Sequence, residues 1–132
     1  MIRRARLVAA CAAALLVAPQ ADAASGQARN GLTAAGDARA FEVFTRAGSG
    51  GADHFCAAGD FARRHLGAAA DDRVVVLRPP GPSETRPGRR SVVFGLRPPG
   101  TAGNRGLSMI FATTGRPGTS RSVAHARALC ER

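Results

Sequence analysis

Four short stretches of the chain are rich in apolar residues in the manner of β-strands. They are residues 41–46, 73–78, 91–96 and 107–114. Valine, phenylalanine, leucine and isoleucine dominate them, and glycine or proline follows each within a few residues. The third and fourth also place apolar residues at every second position, as strands with a buried face do. The pattern therefore predicts four strands.

Residues 52–66 instead repeat their apolar residues with the period of an α-helix. At about 100° per residue, one side of the helix is apolar and the opposite side is polar. The apolar side consists of Phe55, Ala58, Gly59, Ala62 and Leu66. An aspartate in the first turn and basic residues in the last turn suit the helix dipole. A second, short helix is predicted over residues 122–129, with Ser120 or Ser122 as its N-cap.

The predicted order of elements, β-α-β-β-β-α, is that of a small α+β domain. Since the three later strands follow one another through non-helical loops, we expect a small antiparallel sheet with the amphipathic helix packed on one face. The first strand is expected to pair in parallel through a right-handed crossover that contains the helix. The predicted core is Phe55, Ala58, Ala62, Leu66, Val74, Val76, Val92, Phe94, Leu107, Met109 and Phe111.

The beginning of the chain has the pattern of a secretory signal peptide. Arginines precede the apolar residues 7–18, and small residues occupy positions 21 and 23. We therefore expect residues 1–23 to be removed after Ala23 and the protein to be periplasmic or secreted. The apolar run is shorter than the roughly 20 residues of a membrane-spanning helix. A retained anchor, or lipidation at Cys11, is the alternative.

The residues after the predicted cleavage point carry little structural signal. Residues 24–40 are small and polar, without a period, and they predict a flexible N-terminal tail. Residues 41–132 are predicted to form the single α+β domain.

The cysteines predict one disulfide bond. Removal of the signal peptide takes Cys11 away and leaves Cys56 and Cys130, an even pair in an oxidising compartment. They are 74 positions apart, so chain-entropy arguments give the bond a stabilising effect of roughly 4–5 kcal/mol. The alternative, a reactive Cys56, lacks a second cysteine at C-x-x-C spacing.

Composition and charge narrow the class of protein. The chain has 132 residues, 45% of them hydrophobic, which excludes a multidomain enzyme, a multi-span membrane protein and a wholly disordered chain. Nineteen basic residues, all arginine, stand against 9 acidic ones, a net charge of +10. The signal peptide carries three arginines and one aspartate, so the mature charge is 10 − 2 = +8.

The arginines concentrate around one predicted loop, residues 79–90. The cluster consists of Arg78, Arg86, Arg89, Arg90 and Arg97. If the flanking strands pair, these side chains form a basic edge that can attract an anionic glycan, a lipid headgroup or nucleic acid. The alternative is a solvated loop in a chain whose coding favours arginine over lysine.

Candidate catalytic and metal-binding residues are few. His54 and His65 lie roughly 16 Å apart along one helix, and His125 is distant in sequence, so we expect no metal and no cofactor. Ser49 and Asp53 lie near His54, but no G-x-S-x-G pattern surrounds the serine.

Glycines at the start of the main helix offer one more possible site. Residues 48–51 lie between a strand and a helix, where backbone amides can hold a phosphate. They lack the G-x-G-x-x-G spacing, so a flexible turn is preferred. The sequence favours a non-enzymatic binding or interaction module; an envelope structural factor and a small hydrolase are the alternatives.

The chain resembles a group of small exported proteins of alphaproteobacteria. The resemblance rests on Phe55-Cys56-Ala57-Ala58 at the start of the helix, on Val92–Phe94, and on a second cysteine, Cys130, near the end of the chain. It implies an exported, disulfide-tied domain. It implies no activity and no site residues.

Overall fold

A computed structural model describes residues 10–16, 23–101 and 112–131. Most of the predicted signal peptide lies outside these ranges. So do residues 107–111 of the predicted fourth strand, and with them the predicted core residues Leu107, Met109 and Phe111. Across the described ranges, no helix has the length and apolar character needed to cross a membrane.

The described residues form strands and helices in the order β-β-β-α-β-β-β-α. The strands are β1 (Ala24–Gln27), β2 (Thr33–Gly36), β3 (Phe41–Phe44), β4 (Arg73–Pro82), β5 (Arg90–Arg97) and β6 (Ser120–Ser122). The helices are α1 (Gly51–His65) and α2 (Val123–Ala128), and a 3₁₀ turn, Leu129–Glu131, follows α2. The predicted main helix, 52–66, is therefore confirmed to within one residue at each end.

One antiparallel sheet joins the strands in the order β1-β2-β3-β5-β4-β6. The central strands pair with Phe41 opposite Phe94 and Val43 opposite Val92. The small α+β fold with an antiparallel sheet and a helix on one face is confirmed.

The predicted parallel pairing of the first strand is wrong. Strand β3 runs in the same direction as β4, but β5 lies between them and is antiparallel to both. This insertion joins the apolar face of β3 to that of β5, so one continuous surface faces α1. Phe41, Phe55, Phe61 and Phe94 pack together there, with ring centroids 5.2–5.9 Å apart.

The prediction of a flexible tail over residues 24–40 is also wrong. Strands β1 and β2 form a hairpin that extends the sheet, and Leu32 and Ala34 are buried in the core. The hairpin approaches α1 so closely that a Cβ on Gly26 would lie 2.4 Å from Nε2 of His65. The glycine at position 26 permits this contact, but glycine and alanine, which dominate the hairpin, carry little β-strand signal.

A short strand, β6, precedes the last helix and was not predicted from the sequence. It pairs with β4, with Val74 opposite Arg121. Ser122, one of the two predicted candidates, is the N-cap of α2. Its Oγ accepts a hydrogen bond from N of His125 at 3.1 Å.

Helix α1 is buried on its polar side as well as on its apolar side. Asp60 is fully buried and accepts a hydrogen bond from N of Arg29 in the β1–β2 turn at 3.0 Å. It also forms ion pairs with Arg64 at 3.0 Å and with Arg127 of α2 at 3.6 Å. A Cβ on Gly59 would lie 2.7 Å from Cβ of Ala126, so the two helices touch through the glycine.

The predicted disulfide bond between Cys56 and Cys130 is confirmed. It joins the middle of α1 to the 3₁₀ turn at the end of the chain, on the side where Asp60 binds α2. The bond therefore fastens the last helical elements to α1.

The disulfide bond should contribute a large part of the stability of the domain. We expect the Cys56→Ser/Cys130→Ser double variant to lose about 4 kcal/mol in free energy of unfolding, because its unfolded chain regains the freedom of a 74-residue loop. Urea denaturation of oxidised wild type and of the variant measures the loss. A difference below about 1 kcal/mol would contradict the expectation.

Candidate functional site

The five arginines of the predicted basic edge do not stay together. Arg90 begins β5 and Arg97 ends it, so roughly 24 Å of strand separates them. Nη1 of Arg97 donates to the carbonyl oxygens of Leu96 and Arg39, at 2.9 and 3.3 Å. Arg97 therefore lies outside the cluster.

Arg78 is engaged within the protein. It is half-buried, and Nη2 donates to Oγ of Ser91 at 2.6 Å. Its Nη1 donates to the carbonyl oxygen of Pro79 at 2.9 Å, and its Nε pairs with Glu84 at 3.2 Å. These contacts leave little of the guanidinium for a ligand.

The remaining three arginines lie at one end of the sheet. The guanidinium carbons of Arg86 and Arg89 lie 4.2 and 5.2 Å from the ring centroid of the fully buried Phe44. The carbonyl oxygen of Arg90 accepts a hydrogen bond from N of Thr45 at 3.0 Å. Ring contacts thus hold the guanidinium groups of Arg86 and Arg89, and strand pairing holds the backbone of Arg90.

A buried carboxylate holds the loop that carries them. Glu42 lies on the face of β3 opposite to Phe41 and Val43, and is 5% exposed. It accepts hydrogen bonds from Oγ of Ser83 and Oγ1 of Thr85, both at 2.7 Å, and from Oγ of Ser91. The β4–β5 loop is therefore fastened to the sheet by one negative charge.

These bonds set the ionisation of Glu42. Burial raises the pKa of Glu42, but the hydrogen bonds from Ser91, Thr85 and Ser83 outweigh burial and hold the pKa below its ordinary value. The loop is thus fastened most strongly when Glu42 is ionised.

A cleft of about 530 Å³ opens between the β4–β5 loop and the β3–α1 loop. Arg46, Arg89 and Arg90 line it, and all three are exposed. Ser49 and His54 contribute hydrogen-bonding groups to the same wall. No acidic side chain is among the described residues that line the cleft.

Ser49 and His54 are in direct contact at the start of α1. Oγ of Ser49 lies 3.0 Å from Nε2 of His54, and Oγ1 of the buried Thr114 lies 3.2 Å from Nδ1. Ser49 also closes the preceding turn, because its Oγ accepts from N of Arg46 at 3.1 Å and lies 2.8 Å from the carbonyl oxygen of Arg46. The imidazole is thereby held between two hydroxyl groups.

This geometry is suited to ligand binding more than to nucleophilic catalysis. A serine next to a histidine is the arrangement of a nucleophile and its base. In hydrolytic triads, however, a carboxylate stabilises the imidazolium that forms. Here the uncharged Thr114 occupies that position, and Oδ2 of Asp53 accepts from N of Gly50 at 2.9 Å.

The other two histidines lie outside the cleft. His65 stacks on Phe61 at 5.3 Å between ring centroids, and His125 is exposed on α2. Within the described ranges, no three His, Cys, Asp or Glu side chains approach closely enough to hold a metal ion.

A second, smaller cleft contains arginines that are already engaged. Its volume is about 340 Å³, and Arg29, Arg63 and Arg127 line it. Arg29 pairs with Glu131 at 3.8 Å, Arg127 pairs with Asp60, and Nη1 of Arg63 donates to a backbone carbonyl at 2.7 Å. The larger cleft is the better candidate, since neither Arg89 nor Arg90 forms an ion pair in the part of the chain that the structure describes.

Comparisons with family models, with curated proteins and with solved structures find no match for this chain. The resemblance to small exported alphaproteobacterial proteins stays a prediction. The function of this chain is therefore inferred from the geometry of the cleft.

Part of this site was predictable from the sequence, which places Arg89 and Arg90 in the basic loop and Ser49 close to His54. Arg46 was not predicted, because that arginine is isolated in sequence. The strand pattern offered one signal for Glu42, a charged residue between Phe41 and Val43.

Glu42 should stabilise the folded protein only while its carboxyl group is ionised. We expect Glu42→Gln to lower the free energy of unfolding by about 1.5–3 kcal/mol at neutral pH, because the hydroxyl donors lose a charged acceptor. Since the folded pKa is lowered, the wild-type contribution is complete above the unfolded pKa of about 4.3 and disappears as pH falls through the folded value.

Urea denaturation at about pH 6 and about pH 3 tests this expectation. The gap between wild type and Glu42→Gln should narrow at the lower pH. Glu84→Gln is the matched control, because Glu84 is exposed and its ion pair among the described residues is with Arg78 alone. An equal gap at both pH values would contradict the role assigned to Glu42.

His54 should make the fold sensitive to mild acid. Burial lowers the pKa of His54, and the nearby charge of Asp53 opposes this only in part. The unfolded chain therefore takes up a proton near pH 6.5 while the folded chain does not, so stability falls as the pH drops from about 6.5 toward the folded pKa.

The loss should be measurable as a lower urea midpoint at about pH 5.5 than at about pH 7.5. His54→Gln keeps a donor and an acceptor for the two hydroxyl groups, and it should remove most of this pH dependence. His125→Gln, at an exposed position, should retain it. An unchanged pH dependence in His54→Gln would refute the assignment.

Proposed function

We propose that this protein is an exported binding module for anionic ligands and that the cleft beside the β4–β5 loop is its binding site. The observation that carries the proposal is the lining of the cleft. Arg46, Arg89 and Arg90 reach one cavity that no acidic side chain among the described residues shares. An anion that enters there exchanges water for several guanidinium donors.

The charges inside the cleft are maintained by the fold. Glu42, the nearest buried carboxylate of the sheet, is occupied by three hydroxyl donors. Glu84 is occupied by Arg78. Both carboxylates therefore already have partners, and neither forms an ion pair with Arg89 or Arg90 among the described residues, which favours a positive potential at the cleft.

Export is supported by the signal-peptide pattern of residues 1–23 and by the disulfide bond between Cys56 and Cys130. In an envelope or outside a cell, the available anionic groups include those of glycans and of lipid headgroups. The mature charge of +8 would draw any of them toward the protein.

Retention on heparin tests the binding proposal. We expect Arg89→Gln/Arg90→Gln to elute at markedly lower salt than the wild type, because each lost charge-assisted contact weakens binding about tenfold. Retention of the wild type should fall steeply as salt rises, since the attraction is largely Coulombic.

The control is a double variant with the same net charge, Arg39→Gln/Arg116→Gln. Both arginines are exposed, and neither lines the cleft. If this control elutes as early as Arg89→Gln/Arg90→Gln, overall charge explains the retention and the proposed site is wrong.

A further inference from the structure

We infer that the cleft binds the phosphate end of a small organic phosphate monoester, with Arg89 and Arg90 on the phosphate and Ala47 and Pro80 along the organic part. The inference rests on the proposed function, and it names the class of ligand.

The arginines form a single cluster and not a row. Arg97 lies roughly 24 Å away at the other end of β5, and Arg78 is engaged with Ser91 and Glu84. A polymer with regularly spaced charges needs a continued track of cations, as nucleic-acid channels provide. One cluster at the mouth of one cavity instead suits a single anionic group.

The cavity has the size and lining of a small-molecule site. Its volume of about 530 Å³ falls within the range of about 300–1,000 Å³ that is usual for such sites. Ala47, Pro80 and Gly88 add an apolar surface beside the arginines. The ligand therefore needs an uncharged organic part as well as a charged end.

The arginines are held before a ligand arrives. Arg89 lies against the ring of Phe44, and Nη2 of Arg46 donates to the carbonyl oxygen of Asn30 at 3.0 Å. The backbone of Arg90 is itself fixed, because its carbonyl oxygen accepts a hydrogen bond from N of Thr45. A held guanidinium loses less freedom on binding and presents parallel N–H groups that match phosphate oxygens.

Charge favours a phosphate over a sulfate or a carboxylate. A phosphate monoester carries about −1.5 to −2 charges near neutral pH, and Arg89 and Arg90 can meet it without a competing acid among the described lining residues. Sulfate monoesters and carboxylates carry one negative charge.

Calorimetric titration of the mature, oxidised protein with phenyl phosphate tests the inference. We expect saturable one-to-one binding at about pH 8, where the ligand is a dianion, with phenyl phosphate tighter than both phenyl sulfate and inorganic phosphate. Arg89→Gln and Arg90→Gln should each weaken binding about tenfold or more, whereas Arg39→Gln should change it less than about twofold.

Three results would overturn the inference: no saturable binding of phenyl phosphate, equal affinity for phenyl sulfate, or an equal loss in Arg39→Gln. The heparin experiment separates this failure from failure of the proposed function. If heparin retention needs Arg89 and Arg90 but phenyl phosphate does not bind, only the inference fails. If neither heparin nor phenyl phosphate depends on these arginines, both fail.

The source of the phosphate monoester is a separate comparison. Vesicles of phosphatidylcholine with added phosphatidic acid present a phosphate monoester on a membrane, and vesicles of phosphatidylcholine alone are the control. Binding to phosphatidic acid vesicles that phenyl phosphate displaces supports the inference and assigns it to a lipid. Binding of phenyl phosphate without vesicle binding supports it and assigns a soluble ligand.

Discussion

The register between β3 and β5 decides most of this structure. With Phe41 opposite Phe94, both strands turn their apolar residues toward α1 and turn Glu42 and Ser91 to the opposite face. A slip of one residue would reverse the faces, bury the carboxylate under the helix and expose the phenylalanines. The core and the fastening of the β4–β5 loop are therefore two results of one pairing, and the cleft exists because that loop is fastened.

The arginines show how one residue type divides between side chains engaged inside the fold and side chains left exposed. Arg64 and Arg127 neutralise the buried Asp60, and Arg78 bridges a strand and a loop. Such arginines take part in internal ion pairs and hydrogen bonds, and the basic net charge of the sequence does not reveal which arginines do so. Arg89 and Arg90 differ because the nearby carboxylates already have partners in the fold. The candidate site depends as much on where the acidic groups point as on the arginines.

Helix α1 is the second element on which this small domain depends. The glycine at position 59 lets α2 approach closely, and the buried Asp60 and the bond from Cys56 to Cys130 hold that contact. The N-terminal hairpin reaches the same Asp60 through N of Arg29. One side of α1 thus gathers both ends of the described domain, and its other side covers the sheet.

Local periodicity in the sequence determined α1, β3, β4 and β5. Apolar residues at helical or alternating spacing form a continuous apolar face in only one kind of secondary structure. The cysteine count predicted the disulfide bond, since Cys56 and Cys130 are the only possible pair once Cys11 is assigned to the predicted signal peptide. Tertiary structure alone decided the N-terminal hairpin, whose small residues become strands only against a partner.

The tertiary structure also decided that β5 lies between β3 and β4, and that the cleft forms. Strand neighbours depend on which apolar faces combine, and Arg46, His54 and Arg89 meet only when three separate segments fold together. Alternation and charge describe each segment by itself, whereas the distances that create a binding site are set between segments.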